Sequence, residues 1–230
     1  MQEAILIIFY VLILLSSLII HEVSHGVMAL WLGDPTAKHS GRITLNPFKH
    51  IDPWMTIMVP ILMLIVSGGR FAFGGAKPVP YNPYNLKSQK WGPSLVAFAG
   101  PLSNILIAVV FAITARLISI PVAAKIDIIS NFNNWGAIAQ VISGSFSSIL
   151  FEICVMVIFW NVLLAFFNLI PIPPLDGSKL LFAVLPVKIE TMAVLEQYGF
   201  VILLFAIIFF SGPLGYFLSS VLNLFLSITV

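Results

Sequence analysis

His21-Glu22-Val23-Ser24-His25-Gly26 lies inside an apolar run, with Ala4 to Ile20 before it and Val27 to Leu32 after it. The run is long enough to cross a bilayer as one tilted helix. On a helix, residues i and i+4 share a face, so His21 and His25 point the same way, one turn apart. Two imidazoles so placed can hold one Zn²⁺. Glu22 is offset from both and is free to take a proton from water, since no cation in this helix offers it an ion pair. A lone histidine in a soluble helix is usually a satisfied core residue. Inside a membrane span, two histidines and a glutamate are costly without partners and functional by default. A metal ion is such a partner.

Composition sets the class. Of the 230 residues, 60% are hydrophobic and only 9% are charged, with a mean hydropathy of +1.06. A soluble domain carries about 25% charged residues. The chain therefore reads as an all-α polytopic membrane protein of about four to six membrane segments, with little length left for a soluble domain. The net charge of +2 says nothing about nucleic acid and no basic run suggests it, so no nucleic-acid partner is expected. Cys154 is the only cysteine, so no intrachain disulfide forms, and it reads as a small apolar packing residue. Met1-Gln2-Glu3 lacks the basic start of a signal peptide, so the first helix is expected to be retained.

Helix one spans about Ala4 to Leu32 and stops at Gly33-Asp34-Pro35. A polar, turn-rich stretch follows, with strand-like Arg42 to Leu45. Trp54 to Val66 is apolar but short for a crossing, and is expected to dip in and out of the bilayer. Gly68-Gly69, Arg70 to Phe73, Gly74-Gly75 and Lys77-Pro78-Val79-Pro80 read as a short hairpin. The next helix covers Ser94 to Ile120 and carries Gly100-Pro101-Leu102-Ser103-Asn104. Ala123 to Ser148 suits an interfacial connection. Ile149 to Leu169 is another span, broken by Pro171, Pro173 and Pro174 before Leu175-Asp176-Gly177. Ser178 to Leu185 reads as a short helix capped by Asp176. Met192 to Val230 is one kinked helix or two segments around Gly212-Pro213. Residues 1–230 read as a single domain, with a core at 4–185 and C-terminal membrane segments at 192–230.

A catalytic zinc held by two histidines needs a third protein ligand and an open position. Most remaining acids lie in loops or near helix ends, which leaves Glu152 and Asp176. Depth favours Asp176. If Ser94–Ile120 runs antiparallel to helix one and Ile149–Leu169 returns parallel to it, Asn104 and Asp176 reach the depth of the histidines. Glu152 is then left near the opposite face. In this scheme segments 33–92 and 177–191 hold nine of the 11 basic residues, and by the positive-inside rule that side is cytoplasmic. The expected location is a cell membrane, with the site inside the bilayer nearer the cytoplasm.

Three motifs in order now resemble a known family. They are His21-Glu22-Val23-Ser24-His25-Gly26, Gly100-Pro101-Leu102-Ser103-Asn104, and Asn168-Leu169-Ile170-Pro171-Ile172-Pro173-Pro174-Leu175-Asp176-Gly177. Together they resemble the site-2 protease family of intramembrane zinc metalloproteases, closest to its compact prokaryotic branch without a PDZ or CBS domain. The resemblance implies one zinc per chain, held by His21, His25 and Asp176, with Glu22 as catalytic base. It brings Asn104 and Asn168 to family motif positions, where each is expected either to donate to the substrate carbonyl or oxyanion or to hold helices together. It also implies that the stretch between helix one and Gly100 is a membrane re-entrant β-structure.

The implied activity is hydrolysis of peptide bonds within or near transmembrane segments, with a membrane protein or peptide as substrate and the lipid bilayer as surroundings. A substrate strand is expected to add at Arg42–Leu45 or Phe71–Val79, unless those strands pair only with each other. The proline cluster is expected to open a water-holding cavity, beyond marking the membrane exit. The competing reading is an inactive membrane scaffold or a metal-binding transporter. An intact Glu22 argues against both, because a metal carrier needs no base beside its first ligand. A membrane protease with a soluble catalytic domain is opposed by the lack of a long polar segment. Nothing in the sequence specifies an oligomeric state.

Overall fold

Uninterrupted apolar sequence makes the frame of three long helices: α1 (Gln2–Trp31), the helix over Gly92–Leu117 and the helix over Phe146–Asn168. In hydrocarbon every backbone group must be paired internally, which helices do without help from neighbours. The computed structural model describes residues 2–66, 68, 74–132, 134, 145–185, 187 and 189–230. Between the frame helices lie α2 (Thr36–His39), a π-helical turn Pro53–Met58 and α3 (Val59–Val66). The frame helix Gly92–Leu117 is then α4, followed by α5 (Val122–Ser130), and Phe146–Asn168 is α6. The chain closes with α7 (Asp176–Val184), α8 (Ile189–Gln197) and α9 (Gly199–Ser227).

Contacts fix the relative directions. Ser17, His21 and His25 of α1 meet Asn104, Asn104 and Val96 of α4 in turn, so α4 runs antiparallel to α1. Ser17 also meets Asn161, and His21 meets Asp176 further along, so α6 runs parallel to α1. This is the arrangement expected from the sequence. With a rise of about 1.5 Å per residue, Glu152 lies roughly 14 Å along α6 from Asn161, toward the far end. Ala108, Ala112 and Ala115 of α4 let the helix lie close on Phe151, Cys154, Val155 and Ile158 of α6, and Phe225 of α9 completes that cluster.

Among the described residues, two basic residues lie on the far side, and both are used in capping. Lys125 Nζ donates to the carbonyls of Ala115, Arg116 and Thr229, and Arg116 donates to Ile228 O. Both cations therefore sit at helix C-termini, where the dipole favours positive charge. At the near end Gly33 turns α1 off with φ +107°, and Asp34 joins it to the following loops. The Asp34 carboxylate accepts from Thr36, from Asn82 N at 2.6 Å and from Asn85 Nδ2 at 2.9 Å. Burial pushes its carboxyl up, but the hydrogen bonds from Thr36, Asn85 and Asn82 outweigh burial and hold it below the usual range.

Several expectations are revised. The described residues hold three helices long and apolar enough to cross a membrane, or four if the bent pair of Glu190–Gln197 with Gly199–Phe209 is one span, not six. α3 has only 8 residues, about 12 Å of helix against a hydrocarbon core of about 30 Å. α9 kinks at Phe210, just ahead of Gly212-Pro213, because the proline ring disrupts the carbonyl pairing one turn earlier. No strand occurs among the described residues. Arg42–Leu45 forms bends, and residues 69–73 of the expected hairpin lie outside the described residues. The segment that is described has other partners: Lys77 N donates to His50 O and Lys77 O accepts from Arg42 Nη2 at 2.6 Å. Pro78 and Pro80 have no N–H, which removes alternate rungs of any ladder. Asp176 begins α7 as its first helical residue and makes no cap hydrogen bond to it, since Leu175 is the N-cap.

The short α3 predicts that Trp54–Val66 does not cross the bilayer. Single cysteines at Lys49 and Lys87, in a Cys154→Ser background, should be labelled by an impermeant thiol reagent from the same side. Labelling from opposite sides would contradict this topology.

Candidate metal centre

His21 and His25 project from one face of α1 toward α4, their rings 4.7 Å apart and nearly perpendicular. The space they occupy exists because residue 100 is glycine. A Cβ there would come within 2.6 Å of His25 Nε2 and 2.7 Å of His21 Cε1, distances no real packing tolerates. Asp176 arrives from the other side on the first turn of α7. The turn that delivers it requires a second glycine, because a Cβ on Gly177 would run into the Leu169 and Ile170 carbonyls.

Three donor atoms converge. Asp176 Oδ2 lies 3.1 Å from His21 Nε2 and 3.4 Å from His25 Nε2. Ligands at Zn–N and Zn–O distances of about 2.0–2.1 Å in a tetrahedron are roughly 3.3 Å apart, so these separations suit a zinc ion. The outward nitrogens of both rings are already engaged. His25 Nδ1 faces the Val96 carbonyl at 2.7 Å, and His21 Nδ1 faces Asn104 Oδ1 at 2.6 Å. Each acceptor fixes a proton on Nδ1 and leaves the Nε2 lone pair for a metal. A carboxylate oxygen of Glu22 also comes within 4.8 Å of the two histidines' donor atoms. Asp176 rather than Glu22 touches both Nε2 atoms, while Glu22 Oε2 accepts the Val79 amide at 3.1 Å.

These groups line a cavity of about 240 Å³, together with Pro78, Val79, Tyr81, Asn168 and Pro174. That is room for several waters beside the donor atoms. Of the proline cluster, Pro174 lies at the cavity wall. Val79 is carried into the cavity by the proline-flanked segment, and its side chain fits against α1 because residue 26 is glycine.

The structure thus brings His21, Glu22, His25, Asn168 and Asp176 together around one space. Asn168 reaches its wall while Nδ2 donates to Leu164 O at 2.8 Å. Asn104 is placed differently from the substrate-binding role considered for it. It is fully buried outside the cavity wall, with both ends of its amide engaged by the protein. Glu152 is remote from the site and buried beside the apolar cluster, with neither carboxylate oxygen hydrogen-bonded among the described residues. Sequence reasoning missed Asn161, which hydrogen-bonds Asn104 at 2.7 Å. A lone buried amide in an apolar span was the available signal.

Comparison with known proteins identifies the family. The family model for peptidase family M50 matches residues 9–206, and the chain belongs to that family, the site-2 proteases. A Bacillus subtilis protein named "Putative zinc metalloprotease YwhC" is 34% identical over 217 residues, covering 94% of this chain and 86% of its own length. "Putative zinc metalloprotease Rip2" of Mycolicibacterium smegmatis is 29% identical over 195 residues, 84% of this chain and 64% of that protein. The Mycobacterium tuberculosis protein of the same name is 26% identical over 213 residues, 92% of this chain and 70% of its own length. No solved structure matches the chain.

The close approach at residue 100 predicts that Gly100→Ala displaces both histidines and strips zinc from the purified protein. Gly215→Ala, where a Cβ meets nothing within 4 Å, should leave metal content unchanged and serves as the control. Asp176→Ala should also lower zinc content sharply. Full zinc in either the Gly100 or the Asp176 variant, by elemental analysis, would move the third ligand or the site elsewhere.

Proposed function

We propose that this chain is an intramembrane zinc metalloprotease that hydrolyses peptide bonds within or near transmembrane segments of membrane protein substrates. The observation that carries the reading is the meeting of His21, His25 and Asp176 donor atoms inside a helix frame apolar enough to span a membrane. Family membership and the names of the relatives support it. Residues 1–230 are read as one membrane-embedded catalytic domain that binds one zinc.

His21, His25 and Asp176 would hold the metal. When bound, zinc polarises the scissile carbonyl and makes water acidic enough to lose a proton near neutral pH. Glu22 is the base. Its carboxylate borders the same cavity, one residue along from the first ligand, and would accept the water proton and deliver it to the departing amine. For Glu22 to do so, its contact with the Val79 amide must yield to substrate or water. Asn168, at the cavity wall, is assigned to the substrate carbonyl or oxyanion. Hydrolysis needs an exposed peptide bond, and a helix keeps its carbonyls paired within itself, so a transmembrane substrate must unwind locally before its backbone reaches Glu22.

The proposed setting is a cell membrane, with the site nearer the cytoplasmic face. Among the described residues, seven of nine basic residues (all but Arg116 and Lys125) fall on the site's end of the frame, which supports that orientation. A scaffold or metal carrier is disfavoured because it has no use for a carboxylate poised beside the two histidines.

The reading predicts that Glu22→Gln lowers cleavage of a transmembrane reporter by a purified sample at least about a hundredfold, the usual scale of a lost general base. Zinc content and thermal stability should stay close to wild type. Undiminished turnover in that variant would take the base role away from Glu22.

A further inference from the structure

Behind His21 lies a buried polar network that spans three helices. Asn104 Oδ1 meets His21 Nδ1, while Asn104 Nδ2 donates to Ser17 O at 3.3 Å and to Asn161 Oδ1 at 2.7 Å. Asn161 Nδ2 in turn donates to Val157 O and Ser17 Oγ, both at 2.8 Å. Asn104 and Asn161 are completely buried, and Ser17 is nearly so. None of the three lines the cavity, so none touches substrate.

The orientation of each amide is determined by groups that cannot change roles. Val157 O is a backbone carbonyl and can only accept, so the NH₂ end of Asn161 must face it. That turns Asn161 Oδ1 toward Asn104. Ser17 O is likewise only an acceptor and, with Asn161 Oδ1, draws the NH₂ end of Asn104 away from His21. Asn104 Oδ1 is then left facing the imidazole, and an oxygen acceptor requires the proton on His21 Nδ1. A half-turn of the Asn104 amide would present its NH₂ group to Nδ1 instead. The ring proton would then move to Nε2, the atom that faces His25 and Asp176.

We infer that Asn161, with Ser17, is a positioning residue for the metal centre: it locks the Asn104 amide, and through it the His21 tautomer that leaves Nε2 open to a metal. The inference rests on the zinc reading above and extends it to residues one hydrogen bond further out. In an apolar span the lock is tight, because no water competes for these donors. Groups that orient a metal-bound histidine commonly contribute 10–100-fold to metal affinity. Asn161 acts at one remove, so the lower end applies.

The test is a double-mutant cycle read by zinc affinity, measured by chelator competition in detergent, together with the visible absorption of the Co²⁺-loaded protein. Asn161→Leu should weaken zinc binding roughly tenfold and broaden or shift the cobalt bands. Ser17→Ala, a milder change that keeps the packing, should give a smaller loss in the same direction. In an Asn104→Ala background both substitutions should become nearly silent, with less than about a twofold further effect. A residue that merely supports packing would cost the same in both backgrounds, and that result would overturn the inference. Unchanged affinity in Asn161→Leu and Ser17→Ala, with tight zinc in the wild type, would also overturn it while leaving the metal centre intact. Failure of the wild type to bind zinc tightly, or unchanged affinity in His21→Ala, would overturn the metal-centre reading and this inference with it.

Discussion

The approach of α4 to α1 at Gly100 is the contact on which the site depends. Two imidazoles on one helix face need space opposite them, and in a bilayer that space must be walled by protein, because lipid cannot satisfy their nitrogens. A glycine at the crossing supplies it without opening a void, since the rings fill the place of the missing side chain. The same antiparallel crossing brings Val96 O to His25 and Asn104 to His21, so one helix both makes room for the ring pair and orients each ring. α6 then follows parallel to α1, and its proline-broken end turns Asp176 back into the gap.

That arrangement also explains how the loops between the frame helices reach the site. The near-end loops are tied to the frame by a few polar joints, of which buried Asp34 is the most connected. They carry the Lys77–Pro80 segment over the cavity, where Val79 N–H meets Glu22. Two prolines leave that stretch extended without committing it to a sheet. Its described polar groups are held by Arg42, His50 and Glu22 rather than by a neighbouring strand. The base thus accepts the Val79 amide at the edge of the cavity.

Much of this was legible in the sequence because the signals were chemical and local. His21, Glu22 and His25 at helical spacing in an apolar run, together with the scarcity of other acids, led to a metal face and to Asp176. The charge asymmetry and the shortness of Trp54–Val66 gave a topology that the contacts of Ser17, His21 and His25 support. The strand expected at Arg42–Leu45 is absent among the described residues because alternation and turn residues do not reveal that the Arg42 and Glu22 side chains hold the polar groups of Lys77 and Val79. The roles of Asn104 and Asn161 were hidden for a related reason. A buried amide's partners lie on other helices, and only the packing decides whether it faces a cavity or a ring nitrogen. The described residues hold three spans, or four with the bent pair, so they reach only the lower end of the four to six expected, because bends such as the one between Gln197 and Gly199 are set by packing that hydropathy does not register.

The central claim is that His21, His25 and Asp176 form one metal-binding set, and X-ray absorption at the zinc edge of the loaded, purified chain tests it directly. The account predicts a four-ligand site with two imidazole nitrogens and oxygen donors at about 2.0–2.2 Å, and loss of one oxygen donor in Asp176→Ala. A spectrum with fewer than two imidazoles, with sulfur, or unchanged by that substitution would contradict it.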